Sequence, residues 1–275
     1  MTAAVPTRRP LRRLSDTGAL RIGVLISATG ANLRTLAELA RVEPASFQVC
    51  LAASESATTP ALEVAAGYGI PTWPGDFTVR CGTATAARDA VSRAAYQDRA
   101  RAWHDNLDRR LLAWEDANGP LDLVVLAYHR WIEGNLLQRY RGRMINQHPG
   151  DLAVLDTESR RFLTGRDPVG EALRAGHDST RTSCFLVDAT HDGGPILAQG
   201  PALSTAGRTP ADAADHEWEQ KRVSDRPCLE WTVRAFAAGR LALDDRTHPD
   251  GSAVVLVDGR PTPLGGRRLG DVDGH

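Results

Sequence analysis

Short apolar runs alternate with helically spaced leucines and alanines along most of this chain. That rhythm predicts parallel strands joined by crossover helices. Residues 21–27 form a nearly continuous apolar run and read as the first strand, and residues 32–40 repeat Leu and Ala at helical spacing. Residues 47–53 read as the second strand and 60–68 as its following helix. Residues 70–73 give a short third strand, which Pro71 confines to an edge or a strand start. From 84 to 118 the chain is rich in Ala, Arg, Asp and Leu with almost no breakers, so it predicts one long helix or two in succession. Residues 121–128 are the most buried-looking strand, and 143–146 the next.

The second half predicts a long loop over 150–165, a helix near 168–175, and strands at 182–187 and 195–199. Residues 210–239 read as mainly helical with a break near Pro227. Residues 254–260 end in Asp258-Gly259, a hairpin-turn pair. Beyond Pro263 the Gly-, Arg- and Asp-rich tail is expected to be disordered. The expected organisation is a basic disordered leader over 1–20, one α/β domain over 21–243, and a hairpin with a flexible tail over 244–275. The fold class is α/β, with a Rossmann-like, mostly parallel sheet and helices on both faces.

Charge changes little in this picture. Lys and Arg number 33 against 34 Asp and Glu, a balance that argues against a nucleic-acid footprint over the whole surface. The basic cluster Arg8, Arg9, Arg12 and Arg13 belongs to the expected leader, which lacks the apolar core of a secretory signal. No segment has the length of a membrane span. Cys50, Cys81, Cys184 and Cys228 are widely spaced and form no metal-knuckle or redox pair, so a reducing cytoplasm is the expected location.

Three short motifs carry candidate chemistry. Thr29-Gly30-Ala31-Asn32 joins the first strand to a helix, where free backbone N–H groups and the helix dipole favour an anion and Asn32 can cap the helix. The dinucleotide pattern of three glycines is missing, so nicotinamide binding is not supported. Asn146-Gln147-His148-Pro149 follows an apolar strand, and Asp192-Gly193-Gly194-Pro195 comes about forty residues later. Strand alternation puts Asn146 and His148 on one face. An amide, an imidazole and a carboxylate together can stabilise an oxyanion and relay a proton in acyl transfer. His148, Asp151, His191 and Asp192 lack compact metal-ligand spacing, and His191 is expected to point away from Asp192, so no metal is expected.

Residues 22–33, Leu123-Val124-Val125-Leu126-Ala127 with Arg130, the Asn146-x-His148-Pro149 motif and the Asp192-Gly193-Gly194 loop together resemble the folate-dependent formyltransferases, glycinamide ribonucleotide formyltransferase in particular. The similarity runs from about residue 21 to about 243. It implies 10-formyltetrahydrofolate as co-substrate and a small-molecule amine as acceptor, with no nucleic acid, no membrane and room for a homodimer. It implies Asn146, His148 and Asp192 as the catalytic set. His148, protonated, would hold the oxyanion and Asp192 would raise its pKa. Tyr128, His129, Arg130, Trp131 and Ile132, with Val187 and Asp188, would line the pterin, and Thr29, Gly30, Ala31 and Asn32 would face the acceptor's phosphate.

The chain also departs from that family. Ala28 and Ala31 stand where the family usually has glycine and a hydroxyl residue, the 80–118 region is expanded, and the 150–165 loop is longer. The family's phosphate-binding arginine has only His104 or Arg101 as counterpart, and its ribose-binding glutamate falls on Arg222. These departures predict an amine acceptor other than glycinamide ribonucleotide, in specialised metabolism. The competing readings are a purine-pathway glycinamide ribonucleotide formyltransferase, a 10-formyltetrahydrofolate hydrolase, and a folate-binding protein without activity. The hydrolases that resemble this superfamily carry an additional amino-terminal domain, and only about twenty residues precede the first strand here.

Overall fold

The computed structural model of the protein describes residues 8–12 and 18–270. It divides the chain into two compact units, one of residues 18–144 and one of residues 145–275 joined by the start of the chain. The short strand β1 (Arg9–Pro10) belongs to the latter.

The first unit is a parallel α/β layer. Its strands are β2 (Leu20–Ile26), β3 (Phe47–Ser54), β4 (Thr72–Trp73) and β5 (Leu123–Ala127), ordered β4-β3-β2-β5 with every pair parallel. The middle strands are buried along almost their whole length because both faces are covered, so their sequences read as apolar runs. Helices α1 (Ala31–Val42), α2 (Ala61–Gly67), α3 (Phe77–Cys81), α4 (Ala90–Asn118) and α5 (Asn135–Arg139) complete it.

The expected long helical region is α4, 29 residues starting at a reciprocal Asp89–Ser92 capping box. It buries only Ala100, His104, Leu107 and Leu111, a single stripe at three- and four-residue spacing. Beside this stripe Arg139 of α5 pairs with Asp108 at 2.6 Å and Glu115 at 3.1 Å.

The second unit begins with β6 (Met144–His148), whose first residue still belongs to the first unit. It continues through α6 (Pro168–Arg174), β7 (Ser179–Thr180), β8 (Ser183–Leu186), β9 (Ile196–Gln199) and β10 (Leu203–Ser204). Then come α7 (Ala213–Gln220), α8 (Arg226–Ala237), β11 (Leu241–Thr247), β12 (Ala253–Val257), β13 (Arg260–Pro261) and β14 (Arg267–Arg268). Here β8 pairs antiparallel with both β6 and β9, while β14 adds in parallel to β9. A second sheet runs β1-β11-β12-β13, all antiparallel. The α/β class with mostly parallel pairing is as expected.

Four expectations are corrected. Residues 8–12 are not a disordered leader. β1 adds to β11, and the Leu11 amide donates to the Leu241 carbonyl at 3.0 Å; Arg13 lies outside the described residues. The tail beyond Pro263 is ordered as far as residue 270, because β14 satisfies the free edge of β9 and Leu269 N donates to Gln199 O at 2.9 Å. The helical region does not break at Pro227. A π-helical turn, Lys221–Asp225, absorbs the irregularity, and proline sits in the first turn of α8, where its missing N–H costs nothing. The expected domain boundary at 243 falls inside β11. No helix among the described residues is long and apolar enough to cross a membrane.

His104, expected as a candidate phosphate ligand, is fully buried in the α4 stripe, with Nε2 3.5 Å from the Tyr128 hydroxyl and Nδ1 without a partner. Burial pulls its pKa down to about 4. An unfolded histidine titrates near 6.5, so below that pH the unfolded chain takes up a proton that the folded chain refuses. The group leaves stability unchanged above pH 6.5 and removes about 3 kcal/mol as pH falls from 6.5 to 4. Urea unfolding at a series of pH values should show this slope, and His104→Leu should flatten it.

Candidate active site

Strand β6 delivers the central group. His148 and Ser183, and Asn146 and Phe185, are directly opposed across the β6–β8 ladder, and Asn146 and His148, two residues apart, share a face. Gln147 points the other way and donates from Nε2 to the Asp225 carbonyl at 2.8 Å. Asn146 is half-buried and His148 is 5% exposed.

The imidazole is held at both ends. Its Nε2 lies 2.8 Å from the Leu163 carbonyl, and a carbonyl only accepts, so Nε2 carries the hydrogen. Its Nδ1 faces Asp192 Oδ2 at 3.7 Å. Burial pulls the His148 pKa below its ordinary value and outweighs the opposing pull of the Asp192 carboxylate. Burial thus favours the neutral ring, with the Nδ1 lone pair turned toward Asp192, while the expected upward pull of that carboxylate is present but outweighed.

Asp192 is held by its surroundings. It has a left-handed φ of 50°, which a non-glycine residue adopts at some cost. That conformation breaks the alternation expected of a strand end, so His191 does not point away. Its Nδ1 lies 3.2 Å from Asp192 Oδ2, with the side chain half-exposed. Asp188 turns the same loop, accepting from the Thr190 amide at 2.8 Å and from the Thr190 hydroxyl, while Val187 is half-buried before it.

The remaining expected site residues belong to the first unit. Gly30 is the N-cap of α1 with φ 77°, and no side chain caps the helix, so Asn32 lies inside the first turn rather than at the cap. Thr29 and Ala31 are exposed and Asn32 is half-buried. The turn is pinned from below, where the Thr59 hydroxyl reaches the carbonyls of Ser27 at 2.7 Å and Ala28 at 2.6 Å. The first-turn amides of α1, which have no partner within the helix itself, follow this turn.

Segment 128–132 lies outside helix and strand. The Tyr128 side chain is buried against His104, so it has only its backbone to present to a pterin, the mode the resemblance implies for this segment. Arg130 is likewise committed: it pairs with Glu55, donates to Thr78 Oγ1 at 3.2 Å and lies over Phe77. His129 is exposed, its amide donating to Ser27 Oγ at 2.9 Å; Ile132 is buried and Trp131 is 50% exposed. What this segment offers a ligand is backbone and one indole face. Among the described residues no cluster of three or more His, Cys, Asp or Glu is placed to hold a metal.

Residues 20–217 match the model of the family described as formyl transferase. The chain belongs to the formyl transferase family. As a formyl transferase it is 30% identical over 250 residues to the phosphoribosylglycinamide formyltransferase of Mycobacterium tuberculosis, covering 90% of this chain and 99% of that one. The solved phosphoribosylglycinamide formyltransferase of Coxiella burnetii superposes with a TM-score of 0.67 at 24% identity, over 91% of this chain and 99% of the other. A formyltetrahydrofolate deformylase from Pseudomonas putida shares the fold at a TM-score of 0.57 and 19% identity, over 88% of this chain and 71% of its own.

The reading of the formyl transferase sequence missed two groups, the Leu163 carbonyl and the Asp250 side chain described below. A carbonyl has no sequence signal, and His248-Pro249-Asp250-Gly251 reads only as a turn.

At Gly30 a Cβ would come within 2.9 Å of Ala61 Cα and 3.0 Å of its Cβ, rigid atoms that cannot step aside. Adding the left-handed strain, Gly30→Ala should cost about 1–3 kcal/mol, read as a lower urea midpoint.

Proposed function

We propose that this formyltransferase moves the formyl group of 10-formyltetrahydrofolate to the amine of a small-molecule acceptor, with Asn146, His148 and Asp192 as its catalytic set. The observation that carries the reading is the buried His148 with Nε2 on the Leu163 carbonyl and Nδ1 facing Asp192. When an amine attacks the formyl carbon, the nitrogen must shed a proton, and Nδ1 is the open base in this arrangement. The imidazolium so formed lies between the Leu163 carbonyl and the Asp192 carboxylate, both of which favour positive charge. The same proton is then available to the departing nitrogen. Asn146, on the His148 face of β6, supplies an amide donor for the oxyanion, a duty His148 Nε2 cannot share while it serves Leu163.

The folate co-substrate supplies an activated formyl group on a ring-linked nitrogen. Residues 130–132 fit such a ligand, since they combine irregular backbone with the half-exposed Trp131. Four free, buried thiols support a reducing, cytoplasmic setting.

The acceptor we favour is an amine other than glycinamide ribonucleotide. Of the two counterparts of the family's phosphate-binding arginine, His104 is buried and uncharged, which leaves the exposed Arg101 as the one cation there. Arg222 is exposed on the π-helical turn, and the acid near it, Asp225, is occupied by the Thr182 hydroxyl, with burial pushing its pKa up to about 6. A second reading, glycinamide ribonucleotide itself, is favoured by the intact Gly30 turn and by the shared length with the M. tuberculosis enzyme.

Incubation with 10-formyltetrahydrofolate and a panel of amines, followed by mass, should give formylated product with glycinamide ribonucleotide a poor acceptor. A higher kcat/KM for glycinamide ribonucleotide than for any other amine overturns the acceptor assignment, and folate turnover without product overturns transfer in favour of hydrolysis. His148→Asn should lower kcat about 10²- to 10⁴-fold with little change in folate KM. Asn146→Ala should lower it about 10²- to 10³-fold.

A further inference from the structure

Loop 150–165 is not a spacer. A bridge between Leu155 and Arg161 and the Phe162 N to Val154 O bond at 2.9 Å fold it back on itself, around an Asp156 side chain that accepts the Glu158 and Arg160 amides. Its returning arm touches both members of the proton-handling pair. Leu163 holds His148, and Gly165 N lies 3.5 Å from Asp192 Oδ2.

Arg161 sits at the base of this arm. Its Nη1 donates to the Asp192 carbonyl and its Nη2 to the Gly194 carbonyl at 2.9 Å, one from either side of Gly193. Its Nε meets Asp250 Oδ2 at 2.8 Å, and both side chains are 4% exposed. Asp250 is itself fixed, accepting from Ser252 N at 3.0 Å and Ser252 Oγ at 2.7 Å in the turn between β11 and β12. That turn lies beyond the residues matched by the family model, which end at 217. The planar fork uses all three of its faces, an arrangement an ammonium group cannot copy.

We propose that Arg161, clamped by Asp250, is a positioning residue that fixes the Asp192 backbone in its left-handed turn and so holds the Asp192 carboxylate against His148. The proposal rests on the reading of His148 and Asp192 as the proton-handling pair. It makes the carboxyl-terminal hairpin part of the catalytic apparatus, acting through one buried ion pair. Arg161 is the rigid link, since it belongs to the 150–165 loop and reaches both the Asp192 loop and the hairpin.

The test is a double-mutant cycle in the full chain, using Arg161→Met and the isosteric Asp250→Asn, each with and without Asp192→Asn. Folding is checked by thermal melting. Each single variant should lower kcat about 10- to 100-fold, as misplacement of a reacting group does, with folate KM little changed. In the Asp192→Asn background neither should cause a further loss. Equal losses in both backgrounds, or no loss from Asp250→Asn, overturn the proposal.

A second arm needs no substrate. The groups facing the His148 ring are Asp192, His191, Arg161 and the Leu163 carbonyl. Asp250→Asn keeps Arg161 but removes the carboxylate that offsets its charge, a direct effect on the ring's NMR titration that is shared by both backgrounds, so the part that depends on Asp192 reports the clamp. The titration should move to lower pH by clearly more in the wild-type background than in the Asp192→Asn background. Movement of equal size in both backgrounds overturns the clamp. A wild-type protein that transfers no formyl group yet shows this coupling would contradict the proposed reaction and support the clamp.

Discussion

The structure depends on how one buried imidazole spends its two nitrogens. His148 lies where water is scarce, so its charged form is disfavoured, and Nε2 is committed to the Leu163 carbonyl. That commitment leaves Nδ1 bare before a carboxylate 3.7 Å away. In the resting protein a lone pair faces a negative group, an unfavourable pairing that proton uptake would relieve. Burial disfavours the proton and Asp192 favours it, so the two pull the ring's pKa in opposite directions and burial prevails.

Much of the second unit can be understood as support for that balance. β6 puts Asn146 and His148 on one face, and β8 fixes its register. The 150–165 loop folds back to bring a carbonyl to one nitrogen, while Asp188 and the strained φ of Asp192 aim a carboxylate at the other. Arg161 and Asp250 connect these pieces to the carboxyl-terminal hairpin. The first unit contributes differently. Its parallel strands end in the Gly30 turn and the irregular 128–132 segment, where backbone groups rather than charged side chains are on offer. Its two most suggestive polar side chains, His104 and Arg130, are both taken up internally.

The elements legible in the sequence were those set by periodicity. The buried runs became β2, β3 and β5, and the breaker-free stretch became α4, because burial on two faces and a one-stripe helix each leave a distinct pattern. The Asn146, His148 and Asp192 motif was legible through resemblance and strand parity. The protonation state of His148 was not, since it depends on burial and on a carbonyl fifteen residues away. The ordered termini were missed for a similar reason: β1 and β14 are two-residue strands that exist only because β11 and β9 present free edges. Arg161 stood out only as one charge in a loop, and the Asp250 that explains it is eighty-nine residues further on. Long-range pairing of this kind leaves no local signature.

The central claim is the tautomer of His148, which ring ¹⁵N chemical shifts of the intact protein near pH 7 measure directly. The account predicts a neutral ring with hydrogen on Nε2 and a bare Nδ1. Hydrogen on Nδ1 alone, or on both nitrogens, would contradict it.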